Sequence, residues 1–180
     1  VSVQRCFEVE ARFLHSQKIF DAIDIAYPIQ LVALSAILTI LGERSRSYQV
    51  RSKLERWLWC GMFGEIYTRW HDVQAGRDVV EIPLWVDTGA VPFGIVQANF
   101  SYQRLLSVRK RLGAVYQGFA ALLRREGAVD WITGEEINDV DFFEEQIDSH
   151  HIFPVARCRK QGIDPKKYRQ QTSFALFKRI

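Results

Sequence analysis

The chain has 180 residues, 48% of them apolar and 25% charged, which is the balance of an ordinary globular protein and excludes disorder throughout. That length suits one compact domain, or one domain with a small appendage, and can bury a real hydrophobic core. A formal net charge of only +3 excludes a uniformly basic protein, so any anionic partner must be sought in how the charges are distributed.

Residues 2–20 carry Val3, Phe7, Phe13, Leu14 and Phe20 at roughly helical spacing, and a first helix is expected there. Asp21 and Asp24 then offer N-cap oxygens, and Pro28 suits a first helical turn, where its missing N–H would be unpaired anyway. The next helix should run to Leu41 and stop at Gly42. Its apolar run, Leu31 to Leu41, is far shorter than the ~20 residues that a membrane span needs, so a buried core helix is expected and no membrane partner.

Glu43 to Val50 reads as a polar connection and Lys53 to Tyr67 as a third helix, in which Leu54, Leu58, Met62 and Ile66 recur every four residues beside Trp57. His71 falls in a loop or a helix start, and there a surface or capping role outweighs a ligand role. Pro83 and Pro92 punctuate a less regular middle.

Ser101 can cap a long helical region reaching Glu126, with Gly113 as a possible kink. Leu105, Leu112, Val115, Phe119 and Leu123 belong to its apolar face. Arg104, Arg109, Lys110, Arg111, Arg124 and Arg125 make a basic face, either solvated or phosphate-contacting. After Gly127, "AVDWITGEEI" places β-type residues around a Thr-Gly turn. "VARCRKQG" reads as a short helix ending at Gly162. The expected fold class is therefore mainly α: a multi-helix body over residues 1–126, then a small mixed segment over 127–180.

Charge separates along the chain. His150 to Ile180 holds eight Lys or Arg and one acid, while Glu135 to Asp148 holds seven acids and no base. The basic end suggests an anionic partner such as nucleic acid; a solvated polar surface is the alternative. Cys6, Cys60 and Cys158 are scattered, with no C-x-x-C pair, as expected of free thiols in a reducing, cytoplasmic compartment. No apolar h-region follows a basic start, so no signal peptide is expected, and a chain beginning at Val1 fits a piece of a longer protein.

The densest chemistry lies in "IDSHHIFP". Adjacent histidines are either a metal ligand beside a catalytic base or a chance pair in a surface strand. Neighbouring strand residues face opposite sides, so His150 and His151 can serve one pocket only where the strand ends or twists, which Pro154 favours. One nuclease arrangement needs this placement: one residue binds a divalent metal at the scissile phosphate, and its neighbour takes a proton from the attacking water. Imidazole suits the second role, because its ordinary pKa lies near neutrality.

"IDSHHIFP" resembles the opening of the HNH (ββα-metal) endonucleases, Asp-His or His-His followed by Ile-x-Pro. "FLHSQKIFDAIDIAYPIQLVALSAIL", "KLERWLWCGMFGEIY" and "GAVDWITG" resemble the C-terminal half of DUF262-type proteins, relatives of the GmrSD modification-dependent restriction enzymes. The resemblance implies a helical region followed by an HNH-like, DUF1524-type ββα segment, with a ParB-like nucleotide-binding domain ahead of them in the family. It implies a DNA endonuclease of the restriction or phage-defence kind.

Position by position, the resemblance makes His151 the general base and puts His150 in the place of a metal-binding Asp or His. Asp148 becomes an acid that orients an imidazole, or a turn residue, and Arg157, Arg159 and Lys160 become phosphate contacts. The implied cofactor is a divalent metal, Mg, Mn, Ni or Zn.

The family pattern continues with an Asn-Lys-Thr-like stretch and a helix carrying an Asn or His ligand, whereas here "DPKKYRQQTSFALFKRI" follows, with Asp164 the only later carboxylate. The expectation is a truncated ββα segment, weakly active or inactive. No Gly-rich phosphate loop is present, since "CGMFG" lies in an apolar helix. The competing expectation is a non-catalytic helical module for nucleic-acid binding or assembly, with structural histidines.

Overall fold

The computed structural model describes residues 3–101, 114–130, 132–137, 147–151, 155–162, 164 and 174–178. The chain divides into two compact units, Val1–Phe100 and Ser101–Ile180. Helix dominates the described residues.

The first unit opens with α1, Val3–Ser16, which ends four residues before its apolar spacing suggests. The backbone explains the early stop. Lys18 adopts a left-handed conformation (φ 59°), the Ile19 N–H donates to the Leu14 carbonyl, and the Lys18 N–H donates to the His15 carbonyl. That pair of bonds is a Schellman closure, accompanied here by burial of both Leu14 and Ile19. Asp24 does not cap the next helix. Its carboxylate turns back and accepts the N–H groups of Phe20 and Asp21, stabilising the 3₁₀ turn Ala22–Asp24.

Helix α2 is Pro28–Leu41, as expected, with Pro at its first turn and Gly42 at its end in the left-handed region (φ 54°). Ala33, Leu34, Ile37 and Leu38 are buried, which agrees with a core helix. No described helix is long and apolar enough to cross a membrane.

Helix α3, Tyr48–Phe63, begins five residues before Lys53. The 3₁₀ turn Gly42–Arg46 replaces the polar connection, and Ser47 caps α3 by accepting the Val50 N–H. Leu54, Trp57, Leu58 and Met62 are fully buried, as the four-residue repeat implies, whereas Ile66, the last of the repeat, lies past the end of the helix and is half-buried. The helix ends at Phe63 because Glu65 turns left-handed (φ 50°).

Gly61 faces α2. A Cβ there would lie 2.3 Å from Gln30 Nε2 and 3.0 Å from the Tyr67 ring. Gln30 is itself buried, donating from Nε2 to the Leu58 carbonyl, so it cannot swing into water. Gly61→Ala should therefore cost about 1–3 kcal/mol through overpacking, measurable as a lower denaturant midpoint at unchanged m-value.

The punctuated middle is an 18-residue helix, α4, His71–Thr88. Pro83 sits inside it and is buried. Proline removes one ladder bond, yet Ala75, Ile82 and Trp85 all bury on the same side, and packing against α2 outweighs the local cost. His71 opens the helix at an exposed position, which agrees with the surface reading. Gly89 (φ 81°) closes the helix, and Lys53 of α3 donates from Nζ to the Trp85 carbonyl at 2.7 Å. Short α5, Phe93–Gln97, completes the unit.

In the second unit, α6 spans Ala114–Arg125, within the helical region expected after Ser101. Gly113 and residues 102–112, with the expected basic side chains there, lie outside the described residues. A small hairpin follows at the expected Thr-Gly turn. Val129 bridges Glu136, Asp130 Oδ1 accepts the N–H groups of Ile132 and Thr133, and Gly134 takes φ 73°. Then come β1 (Ile147–His151), α7 (Val155–Lys160) and β2 (Phe174–Lys178). The two strands pair antiparallel.

Candidate functional site

Strand β1 carries both histidines and Asp148. Its register with β2 pairs Asp148 with Phe177, His150 with Ala175 and His151 with Phe174. The strand stops at His151, so the histidine pair occupies its terminus. Only the backbone of β1 and β2 is described, and Ile152, Phe153 and Pro154 lie outside the described residues.

Four residues beyond the strand, α7 begins. Among the described side chains of this short helix, Cys158 is buried and the three cations, Arg157, Arg159 and Lys160, are exposed. Gly162 (φ 70°) ends it, with its N–H donating to the Arg159 carbonyl, as the sequence suggests. Asp164, the one later acid, is exposed. Cys60 and Cys158 are free thiols, as expected; the side chain of Cys6 lies outside the described residues.

Among the described residues, no three His, Cys, Asp or Glu side chains converge on a common point. By residue type, an imidazole and a carboxylate two positions apart on β1 suit Mn, Ni or Zn better than Mg, which prefers oxygen ligands.

The first unit contains two polar clusters that sequence reading missed. Asp78 is fully buried on α4, and three donors converge on it. Trp57 Nε1 donates to Oδ2 at 2.9 Å, Gln74 Nε2 donates to Oδ1 at 2.8 Å, and the Tyr67 hydroxyl donates to Oδ2. Burial pushes the Asp78 carboxyl up from its ordinary range, against the opposing pull of these hydrogen bonds. Burial, then the neighbouring Asp78 charge, pushes the Tyr67 hydroxyl up as well. The cluster ties α3, the turn after it and α4 together, and is structural.

The second cluster is Glu10 of α1 with Ser35 of α2. Glu10 is 6% exposed, and its carboxylate accepts a hydrogen bond from the Ser35 hydroxyl. Both residues line a cavity of about 460 Å³ between α1, α2 and the turn joining them. Burial pushes the Glu10 carboxyl up; the Ser35 hydroxyl pulls it down by less.

A sequence signal exists for both acids. Glu10 lies at helical spacing between Phe7 and the buried pair Phe13 and Leu14; Asp78 lies between Ala75 and Ile82 on the buried side of α4. An acid within an apolar stripe marks a buried polar cluster.

The chain matches no family model, no curated protein and no solved structure.

Proposed function

We propose that this chain is part of a cytoplasmic DNA endonuclease that hydrolyses phosphodiester bonds with a divalent metal, its site lying at the end of β1. The observation that supports this reading most is that β1 ends at His151, with a helix bearing three exposed cations beginning four residues later. A strand terminus lets neighbouring residues serve one site, which mid-strand alternation forbids.

In this reading the segment over 127–180 is HNH-like, but its described order is β1, α7, β2, with the helix between the paired strands and not after them, so the pairing of β1 with β2 is not the hairpin of a standard ββα unit. His151 accepts the proton of the attacking water. His150 is the residue that would hold the metal, with Asp148 orienting an imidazole. When bound, the metal supplies positive charge to the phosphate oxygens and lowers the pKa of coordinated water. Arg157, Arg159 and Lys160 neutralise flanking phosphates and set the register of the DNA. A ParB-like nucleotide-binding domain would precede this part in the complete enzyme, and a restriction role would follow from the pairing of the two.

The test is supercoiled plasmid with Mg²⁺, Mn²⁺ or Ni²⁺ at low salt. The expected result is nicking that a chelator abolishes. Salt-dependent DNA binding that a chelator leaves unchanged, with no nicking under any metal, would replace this reading with the non-catalytic binding module. Replacing Arg157, Arg159 and Lys160 together with Ala should flatten the dependence of log binding constant on log salt, by about 0.9 for each phosphate no longer neutralised. Fluorescence anisotropy of a labelled duplex at several salt concentrations measures that slope.

A further inference from the structure

We propose that the cavity between α1 and α2 in the first unit binds a small organic cation, an ammonium group on an apolar or aromatic body. Its lining residues all belong to the first unit, and the proposal does not depend on the nuclease reading.

Three observations carry it. The cavity, about 460 Å³, has the size of a small-molecule site, and its walls are mostly apolar, with Leu14, Ile19, Leu31 and Val32 among them. The titratable groups lining it are Glu10, His15 and Asp21, and among the described residues neither Lys nor Arg lines it. Two aromatic rings, Phe7 and Phe20, stand in the wall, and aromatic faces attract cations.

Glu10 sets the chemistry. It is nine-tenths buried, and its one hydroxyl partner, Ser35, also lines the cavity. A carboxylate has roughly four acceptor positions, so one hydroxyl leaves it able to receive an ammonium. Desolvation penalises its charge, and a cation placed beside it offsets that penalty. An anion would meet two acids, while a neutral apolar ligand would leave the carboxylate without a counter-charge. Phe7 (58% exposed) and Val32 (64% exposed) keep large apolar surfaces at the rim, which the body of such a ligand would cover.

The experiment titrates the full chain with three probes of similar shape: 2-phenylethylammonium, 2-phenylethanol and 3-phenylpropanoate, followed by calorimetry and by amide chemical shifts of α1 and α2. The ammonium should bind at least about tenfold more tightly than the alcohol, since a charge-assisted bond is worth more than a neutral one. The carboxylate probe should bind weakest. Glu10→Gln should remove the preference for the ammonium while leaving the alcohol's affinity unchanged. If Glu10→Gln fails to fold, Ala11→Trp, at an exposed position lining the same cavity, should abolish binding of both probes by filling it. Equal affinities for the three probes, no saturable binding of the ammonium, or undiminished binding in the Ala11 variant would overturn the proposal.

Discussion

Asp78→Ala should lower folding stability by about 3–5 kcal/mol, because each buried donor left without its acceptor costs about 1–3 kcal/mol. The loss is large because the deletion strands several donors together. Trp57, Tyr67 and Asp78 are each at most 1% exposed, so water cannot replace the carboxylate. The indole N–H of Trp57, the hydroxyl of Tyr67 and the amide of Gln74 would all lose their acceptor. Asp78→Asn should be far milder. Its carbonyl can take the place of Oδ2 and keep Trp57 and Tyr67, while the Gln74 amide turns over to present its oxygen to the new NH₂. Urea unfolding of the three proteins at neutral pH measures the difference.

The same carboxyl gives a pH dependence of known sign. Its folded pKa is raised, with burial as the largest cause, so the folded protein holds the proton more tightly than the unfolded chain does. The contribution of Asp78 to stability is therefore complete below the ordinary carboxylate range and falls as pH rises through its raised folded value. Glu10 contributes in the same direction, for the same reason. Subtracting the profile of Asp78→Asn from that of wild type should isolate a downward step with rising pH. A flat difference would mean that Asp78 holds its proton equally in both states.

His151→Ala should slow metal-dependent nicking by about 10²- to 10⁴-fold, the usual contribution of a positioned proton acceptor, while leaving DNA affinity close to wild type. The residue stands at the end of β1, where it is the last to pair, opposite Phe174. His150→Ala should also lose activity, and should shift the metal concentration required, because its proposed role is to hold the metal. The two variants are thus distinguishable: metal dependence changes in one and not in the other.

Much of the helical framework is legible before folding is considered. Pro28 and Gly42 bracket α2, because one residue lacks an N–H that a first turn does not need and the other takes a positive φ. The repeat of Leu54, Leu58 and Met62 marks the core side of α3, and the Thr-Gly pair marks the hairpin after Gly127.

What the sequence conceals is set by tertiary packing. Pro83 suggests a break, yet burial of Ile82 and Trp85 carries α4 through it. Lys18 is an unremarkable surface residue by type, and only the backbone closure onto Leu14 makes it the end of α1. Ser47 looks like one polar residue among many in "ERSRSYQV", whereas its hydroxyl starts α3. Glu10 and Asp78 look like solvated charges until their neighbours in the stripe are seen to be buried. For the candidate site, residue types and order along β1 and α7 are legible, and the strand end at His151 agrees with the reading from Pro154. Convergence of side chains from separate segments is a three-dimensional property that no spacing encodes.

The most direct measurement is the single-turnover nicking rate of supercoiled plasmid by wild type and His151→Ala, at saturating Mn²⁺ and with DNA binding confirmed for both. The predicted result is a measurable wild-type rate that falls at least about a hundredfold in the variant. Equal rates, or no nicking by wild type under any divalent metal, would contradict a catalytic role for this histidine.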